Sequence, residues 1–129
     1  MNGEFLLDTS AVIAILRGWE GAAERFKDAD RISINATVLG ELYYGALRSP
    51  RVEDSLQRIE TFLDSVAIRR CTENTARHYA RIKAELQSQG LPIPENDLWI
   101  AATAVQHNLT LVARDEHFDR IANLRKERW

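Results

Sequence analysis

Short segments with β-strand character alternate with helical segments along the whole sequence, and this alternation constrains the fold more than any other feature. Apolar or β-branched runs at residues 4–8, 31–35, 66–68 and 110–113 favour strands. Helical patterns occupy residues 9–16, 22–27, 37–47, 50–64, 72–90 and 97–107. Because strands that are separated by helices pair in parallel, the sequence predicts a three-layer α/β/α sandwich with a central, mostly parallel sheet.

Nothing in the sequence divides the chain into parts. It contains no repeat, linker or low-complexity stretch, so we expect a single domain over residues 1–129. The helix at 97–107 is apolar on nearly all sides, which predicts that it is buried. After Arg114 we expect a short helix and a weak last strand.

Four carboxylates stand at informative places in this pattern. Asp8 directly follows the first strand, Asp115 follows the fourth, Asp97 opens the buried helix, and Glu41 lies inside the otherwise apolar helix 37–47. Each has an ordinary explanation when taken alone. Asp8 and Asp115 are typical helix or turn caps, Asp97 suits a first helical turn, and Glu41 could face solvent or pair with Arg48.

Taken together, the carboxylates indicate a cation site. Ligands of parallel sheets bind outside the carboxyl ends of the strands, where these residues are expected to converge. Carboxylates held close together raise one another's pKa unless cations neutralise them, and no Lys lies beside any of the four in sequence. Oxygen ligands without His or Cys suit Mg²⁺ or Mn²⁺ rather than Zn²⁺. Such a site is suited to hydrolysis of a phosphodiester by metal-activated water.

Composition limits the classes of partner. A net charge of −2 argues against a protein that coats nucleic acid non-specifically, although it does not exclude an RNA substrate. No apolar run approaches the ~20 residues that a membrane span needs, and the N-terminal segment lacks the basic start of a signal peptide. Cys71 is the only cysteine, which excludes an internal disulfide. We expect a cytoplasmic protein with no membrane partner.

Three stretches make the sequence similar to a known family. FLLDTSAVIAIL, ISINATVLGELYYGAL and LPIPENDLWIAATAVQHNLTLVARDEHFDRI follow one another as in the PIN-domain family, and within it the chain resembles the VapC-type toxins of toxin–antitoxin pairs. The resemblance implies that Asp8, Glu41, Asp97 and Asp115 are the catalytic and metal-binding residues of a Mg²⁺- or Mn²⁺-dependent endoribonuclease that cleaves tRNA or rRNA. It also implies a homodimer and a VapB-type antitoxin that blocks the acidic site, often with a basic side chain.

Residues beside the four acids carry further expectations. Thr9, Ser10 and Asn96 are predicted to support the carboxylates without binding the metal directly. The family commonly has Thr or Ser where this chain has Ala113, so a hydroxyl is missing two residues before Asp115. In the tail, we expect Phe118 to pack in the core and His117 to have a structural role. Tyr43, Tyr44 and the apolar stripes of the helices at 50–64 and 72–90 could supply a dimer interface, although core packing is the stronger expectation for the stripes.

Other functions fit the sequence less well. A haloacid-dehalogenase-type phosphatase needs a second Asp two residues after the first, where this chain has Ser10. A response-regulator receiver needs an Asp after its third strand, which here is followed by Arg69 and Arg70. The remaining alternative is a non-catalytic PIN-like module that binds RNA or protein. A pure RNA binder, however, gains nothing from a cluster of negative charge.

Overall fold

The predicted parallel sheet is present in the computed structural model, which describes residues 3–129. Its five strands lie in the order β3-β2-β1-β4-β5, and all four neighbouring pairs are parallel. The strands are β1 (Glu4–Leu7), β2 (Arg31–Asn35), β3 (Ala67–Arg69), β4 (Thr110–Val112) and β5 (Lys126–Glu127). The prediction of a mostly parallel sheet is therefore confirmed.

Six helices flank the sheet and complete the predicted α/β architecture. They are α1 (Thr9–Leu16), α2 (Glu20–Asp28), α3 (Ala36–Leu47), α4 (Val52–Leu63), α5 (Glu73–Ser88) and α6 (Glu95–Gln106), followed by a 3₁₀ turn at Glu116–Arg120. Because parallel crossovers are right-handed, the reversal of strand order at β1 places the helices before and after β3 on opposite faces. None of the helices in residues 3–129 combines the length and apolar character needed to cross a bilayer.

Most predicted boundaries differ from the observed ones by one or two residues, and capping explains the important ones. β1 ends at Leu7 because the next residue, Asp8, caps α1 with its side chain while its amide still donates to the Val112 carbonyl at 3.0 Å. Helix α6 begins at Glu95, two residues earlier than predicted, because the Pro94 carbonyl accepts the first helical hydrogen bond from the Leu98 amide at 3.2 Å. Asp97 is consequently the third residue of the helix rather than its first.

Buried apolar side chains hold the carboxyl edge of the sheet rigid. Leu6 and Leu7 of β1 and Val112 of β4 are fully buried, and each contributes about 1.5–3 kcal/mol through burial. Phe118 is also buried, as predicted, so the 3₁₀ turn after β4 is anchored in the core. The predicted stripes of α4 and α5 pack inward through Ile59, Phe62, Ile82 and Leu86. The strand order reverses between β1 and β4, which is where ligand sites of such sheets form.

Candidate functional site

Asp8 lies at this switch point and is a buried carboxylate. It follows β1 and caps α1, with its side chain only 5% exposed. Its Oδ1 accepts hydrogen bonds from the Ala11 amide at 2.9 Å and from the Ser10 hydroxyl at 2.8 Å. Burial nevertheless raises the pKa of Asp8 to about 6, with smaller contributions from the charges of Asp97 and Asp115. Asp8 is thus both the helix cap and a member of an acidic cluster.

Glu41 is held by two donors that come from other parts of the chain. It lies in the middle of α3, and its Oε1 accepts a hydrogen bond from the Thr9 hydroxyl at 2.5 Å. The Asn96 amide, at the start of α6, donates to Oε2 at 3.2 Å. The alternative pairing with Arg48 is not observed within residues 3–129, where the Arg48 guanidinium lies over the Tyr44 ring instead. Glu41 therefore bridges α3 to the beginnings of α1 and α6.

Asp97 and Asp115 meet at one histidine. The Nδ1 atom of His117 lies 3.1 Å from Asp97 Oδ2 and 3.0 Å from Asp115 Oδ1. Asp115 also caps the 3₁₀ turn, because its Oδ1 accepts the His117 amide hydrogen at 2.9 Å. The pKa of Asp97 is raised, chiefly by burial and further by the charges of Asp115 and Glu41, although contact with His117 opposes the shift.

The structure brings all four predicted acids into one electrostatic neighbourhood. Asp97 interacts with each of the other three, because its charge raises the pKa of Asp8 and its own pKa responds to Asp115 and Glu41. Within residues 3–129, no Lys or Arg ion pair involves any of these four carboxylates. Among the residues that the structure describes, therefore, no Lys or Arg offsets this negative charge through a direct ion pair.

The donor atoms suit a hard divalent cation. One carboxylate oxygen each from Asp97 and Asp115 and one ring nitrogen of His117 lie within 4.8 Å of one another. Within residues 3–129, the two hydrogen bonds to Asp8 fall on Oδ1, so Oδ2 is available to a cation. Carboxylate oxygens are the ligands that Mg²⁺ and Mn²⁺ prefer, and a divalent charge offsets the repulsion that raises these pKa values.

An open cleft lies against Glu41. It has a volume of about 680 Å³ and is bounded on one side by Thr37, Glu41 and Tyr44 of α3 and on the other by Asn96 of α6. Tyr44 is 62% exposed, so it presents an aromatic face to this space. Of the four acids, Glu41 lines this cleft and is accordingly reachable by a ligand much larger than water.

His117 is a further residue of the cluster. Its predicted role is structural, and its ring contacts two of the four acids, Asp97 and Asp115. Its position two residues after Asp115 is the sequence signal for these contacts. Ala113 is fully buried, and the residue after it contacts a hydroxyl from elsewhere, since the Ser10 Oγ accepts the Arg114 amide hydrogen at 3.3 Å.

Comparison with known proteins agrees with the fold and the motifs. The model of the family described as PIN domain matches residues 5–124. "Ribonuclease VapC2" of Haemophilus influenzae is 36% identical over 129 residues, covering 98% of both chains. "tRNA(fMet)-specific endonuclease VapC" of Shigella flexneri is 33% identical over 129 residues, again covering 98% of both chains.

Solved structures resemble the whole chain. DNA-bound VapBC from Salmonella typhimurium superposes with a TM-score of 0.92 at 32% identity, covering 100% of this chain and 99% of that one. VapBC2 from Rickettsia felis, bound to a fragment of its promoter DNA, gives a TM-score of 0.90 at 30% identity, covering 97% of this chain and 98% of that one. By sequence and fold, the chain belongs to the PIN-domain family, in its VapC group.

Proposed function

We propose that this protein is the toxin of a type II toxin–antitoxin pair and acts as a divalent-metal-dependent endoribonuclease. The observation that carries the proposal is the convergence of Asp8, Asp97 and Asp115 at the switch point, where the pKa of Asp8 rises to about 6. A cluster of this kind is costly to a fold unless a cation or a proton offsets the charge. The names of similar proteins, ribonuclease and tRNA endonuclease, support RNA as the substrate and tRNA as a class of it.

In the proposed site, Asp8, Glu41, Asp97 and Asp115 hold Mg²⁺ or Mn²⁺. When bound, the cation supplies an activated attacking water and offsets the charge that develops on the phosphate. The carboxylates must be ionised to bind it, so metal binding and protonation compete at Asp8. Because Mg²⁺ prefers oxygen ligands, we assign His117 the role of orienting Asp97 and Asp115 rather than that of a ligand.

The neighbouring polar side chains fix the direction of the carboxylates. Ser10 and the Ala11 amide hold Asp8 Oδ1, and Thr9 and Asn96 each hold one oxygen of Glu41. Outer hydrogen bonds of this kind tune metal affinity, and their loss typically costs about 10–100-fold in affinity or activity. We therefore propose that Thr9, Ser10 and Asn96 support the cation site without binding the metal.

Two protein partners accompany the proposal. The resemblance to VapBC complexes supports a VapB-type antitoxin, and an acidic cleft is readily blocked by an Arg or Lys side chain. Tyr44 and Leu47 on α3 are 62% and 63% exposed, which supports a second copy of the chain as a partner. The stripes of α4 and α5 supply the core instead.

The decisive test is cleavage of RNA by purified protein. We expect the wild type to cut a mixture of tRNA and rRNA at discrete sites in Mg²⁺ and to stop in excess EDTA. Asp8→Asn should cut at least ~100-fold more slowly. Asp30→Asn, which changes an exposed Asp before β2, serves as the matched control and should cut normally. Binding of RNA without cleavage would favour the non-catalytic module, and EDTA-resistant cleavage would contradict the metal-dependent mechanism.

A further inference from the structure

Asp115 is the least supported of the four acids by its own segment. Asp8 is buried at a strand–helix junction and Asp97 is part of a helical turn, whereas Asp115 lies in the loop between β4 and the 3₁₀ turn. Its side chain is 44% exposed. A carboxylate on an exposed loop needs contacts from elsewhere if it is to keep a defined position beside Asp97.

Residues 125–129 supply those contacts. The Leu111 amide donates to the Arg125 carbonyl at 2.8 Å, and the Ala113 amide donates to the Glu127 carbonyl at 3.0 Å. This pairing places Lys126 beside the loop, where its side chain is only 19% exposed. Although β5 is short, its position allows the Lys126 side chain to contact Asp115.

Lys126 contacts both ends of the 3₁₀ turn. Its Nζ donates to the backbone carbonyl of Asp115 at 3.2 Å and pairs with Asp119 Oδ1 at 2.8 Å. The ammonium contacts the main chain of Asp115, and its ion pair within residues 3–129 is with Asp119 rather than with the Asp115 carboxylate. Its effect on the carboxylate is consequently one of position.

Arg114 makes a second set of contacts with the C-terminal segment. Its Nη2 donates to the carbonyl of Trp129, and its guanidinium lies 4.9 Å from the ring centroid of Trp19. Trp129 is itself immobilised, since its ring is 6% exposed and meets the ring of Phe5 edge-on at 5.2 Å. The Arg114 amide reaches Ser10, the residue that donates to Asp8. The C-terminal segment 126–129 thus contacts two adjacent residues of the loop. Lys126 contacts Asp115, and Trp129 contacts Arg114.

We propose that Lys126 and Arg114 are positioning residues that hold the Asp115 carboxylate toward Asp97 for cation binding. This inference rests on the proposed metal site. Neither residue is assigned contact with the metal or the substrate. The ion pair of Lys126 lies near the surface, where such pairs contribute only about 0–1 kcal/mol to stability. Its contacts are therefore better explained by the placement of Asp115 than by the stability of the fold.

A positioning role and a simple electrostatic effect predict opposite changes in cation affinity. Removing a positive charge near an acidic cluster should strengthen cation binding on Coulomb grounds alone. Loss of positioning should weaken it instead, by about tenfold on the scale typical of outer contacts. Lys126→Gln and Arg114→Gln both remove a positive charge, so weaker binding in either variant cannot arise from charge.

The experiment measures Mn²⁺ binding by electron paramagnetic resonance, which reports the free ion. We expect about tenfold weaker binding by Lys126→Gln and by Arg114→Gln, and recovery to within about threefold of wild type by Lys126→Arg. Lys83→Gln is the matched control, because Lys83 pairs with Glu95 at 2.9 Å and is not among the contacts of Asp115. Hydrogen exchange of the His117 amide, which donates to Asp115, should be faster in Lys126→Gln.

The possible results distinguish failure of the positioning role from failure of the metal site itself. Unchanged or tighter Mn²⁺ binding by both Gln variants would overturn the positioning role while leaving the metal site intact. Absence of Mn²⁺ binding by the wild type would overturn the metal site and the inference that rests on it. Should Lys126→Gln lose more than a few degrees of thermal stability, Arg114→Gln and the exchange of the His117 amide decide the question.

Discussion

Replacement of Asp8 by Asn should stabilise the metal-free protein at neutral pH. The carboxylate has a pKa of about 6 in the folded protein, against its ordinary value of 3.8. The Asn amide oxygen can still accept from Ala11 and Ser10, so the helix cap is retained. The main consequence of the substitution is the removal of a buried, repelled negative charge.

The expected gain in the free energy of unfolding follows from the difference between the folded and the ordinary pKa of Asp8. A shift of about two units corresponds to ~3 kcal/mol, since each unit is worth about 1.36 kcal/mol. The sign follows from proton binding. Between pH 4 and pH 6 the folded state binds more protons at Asp8 than the unfolded state, so wild-type stability falls as the pH rises. The full penalty is present above pH 7 and is absent below pH 4.

The assay is urea unfolding in EDTA at a series of pH values from 4 to 8. Asp8→Asn should exceed the wild type by ~3 kcal/mol at pH 7.5, which corresponds to a difference in melting temperature on the order of 10 °C. This advantage should shrink steadily and vanish near pH 4. Asp30→Asn, at an exposed position, should show no such pH-dependent gain. A variant that is less stable than wild type at pH 7.5, or a gain independent of pH, would refute the reasoning.

Three further outcomes are expected. Saturation with Mg²⁺ should raise the melting temperature of the wild type, by ~2.7 kcal/mol of stability at a concentration of 100 times Kd, and calorimetry should find most of that gain missing in Asp97→Asn. Thr9→Val should slow RNA cleavage about tenfold because Glu41 loses a donor, whereas Thr9→Ser should cut at nearly the wild-type rate in the same assay. Phe118→Ala should cost about 3–5 kcal/mol in urea unfolding, because the fully buried ring anchors the turn that follows Asp115. Equal cutting by the two Thr9 variants would argue against the hydroxyl contact.

The sequence was sufficient to predict the sheet and the edge at which the acids meet. Alternating strand and helix patterns leave few parallel arrangements, and residues that follow β1 and β4 must lie at the same edge of the sheet. Asp8 and Asp115 converge because of the order in which strands and helices follow one another. The hydrophobic periodicity of the sequence reveals that order. The buried helix α6 was likewise predictable from its apolar surface.

The contacts within the cluster could not be predicted in the same way. Thr9 and Glu41 are separated by 32 positions, and Asn96 and Glu41 by 55, so their hydrogen bonds depend on helix orientation and side-chain rotamers. The raised pKa of Asp8 comes mainly from burial, which a sequence pattern gives only as a tendency. The role of His117 depends on a turn that brings its ring back to Asp97, 20 positions earlier. None of these distances is encoded by local spacing.

The central claim is that four carboxylates form one divalent-cation site, and crystals of the protein soaked in Mn²⁺ test it most directly. Anomalous diffraction locates the ion without reference to activity. We expect one or more anomalous peaks within direct coordination distance of carboxylate oxygens from Asp8 and Asp97, with Glu41 and Asp115 completing the site. Peaks confined to other parts of the surface, or soaked crystals without a peak at this edge of the sheet, would contradict it.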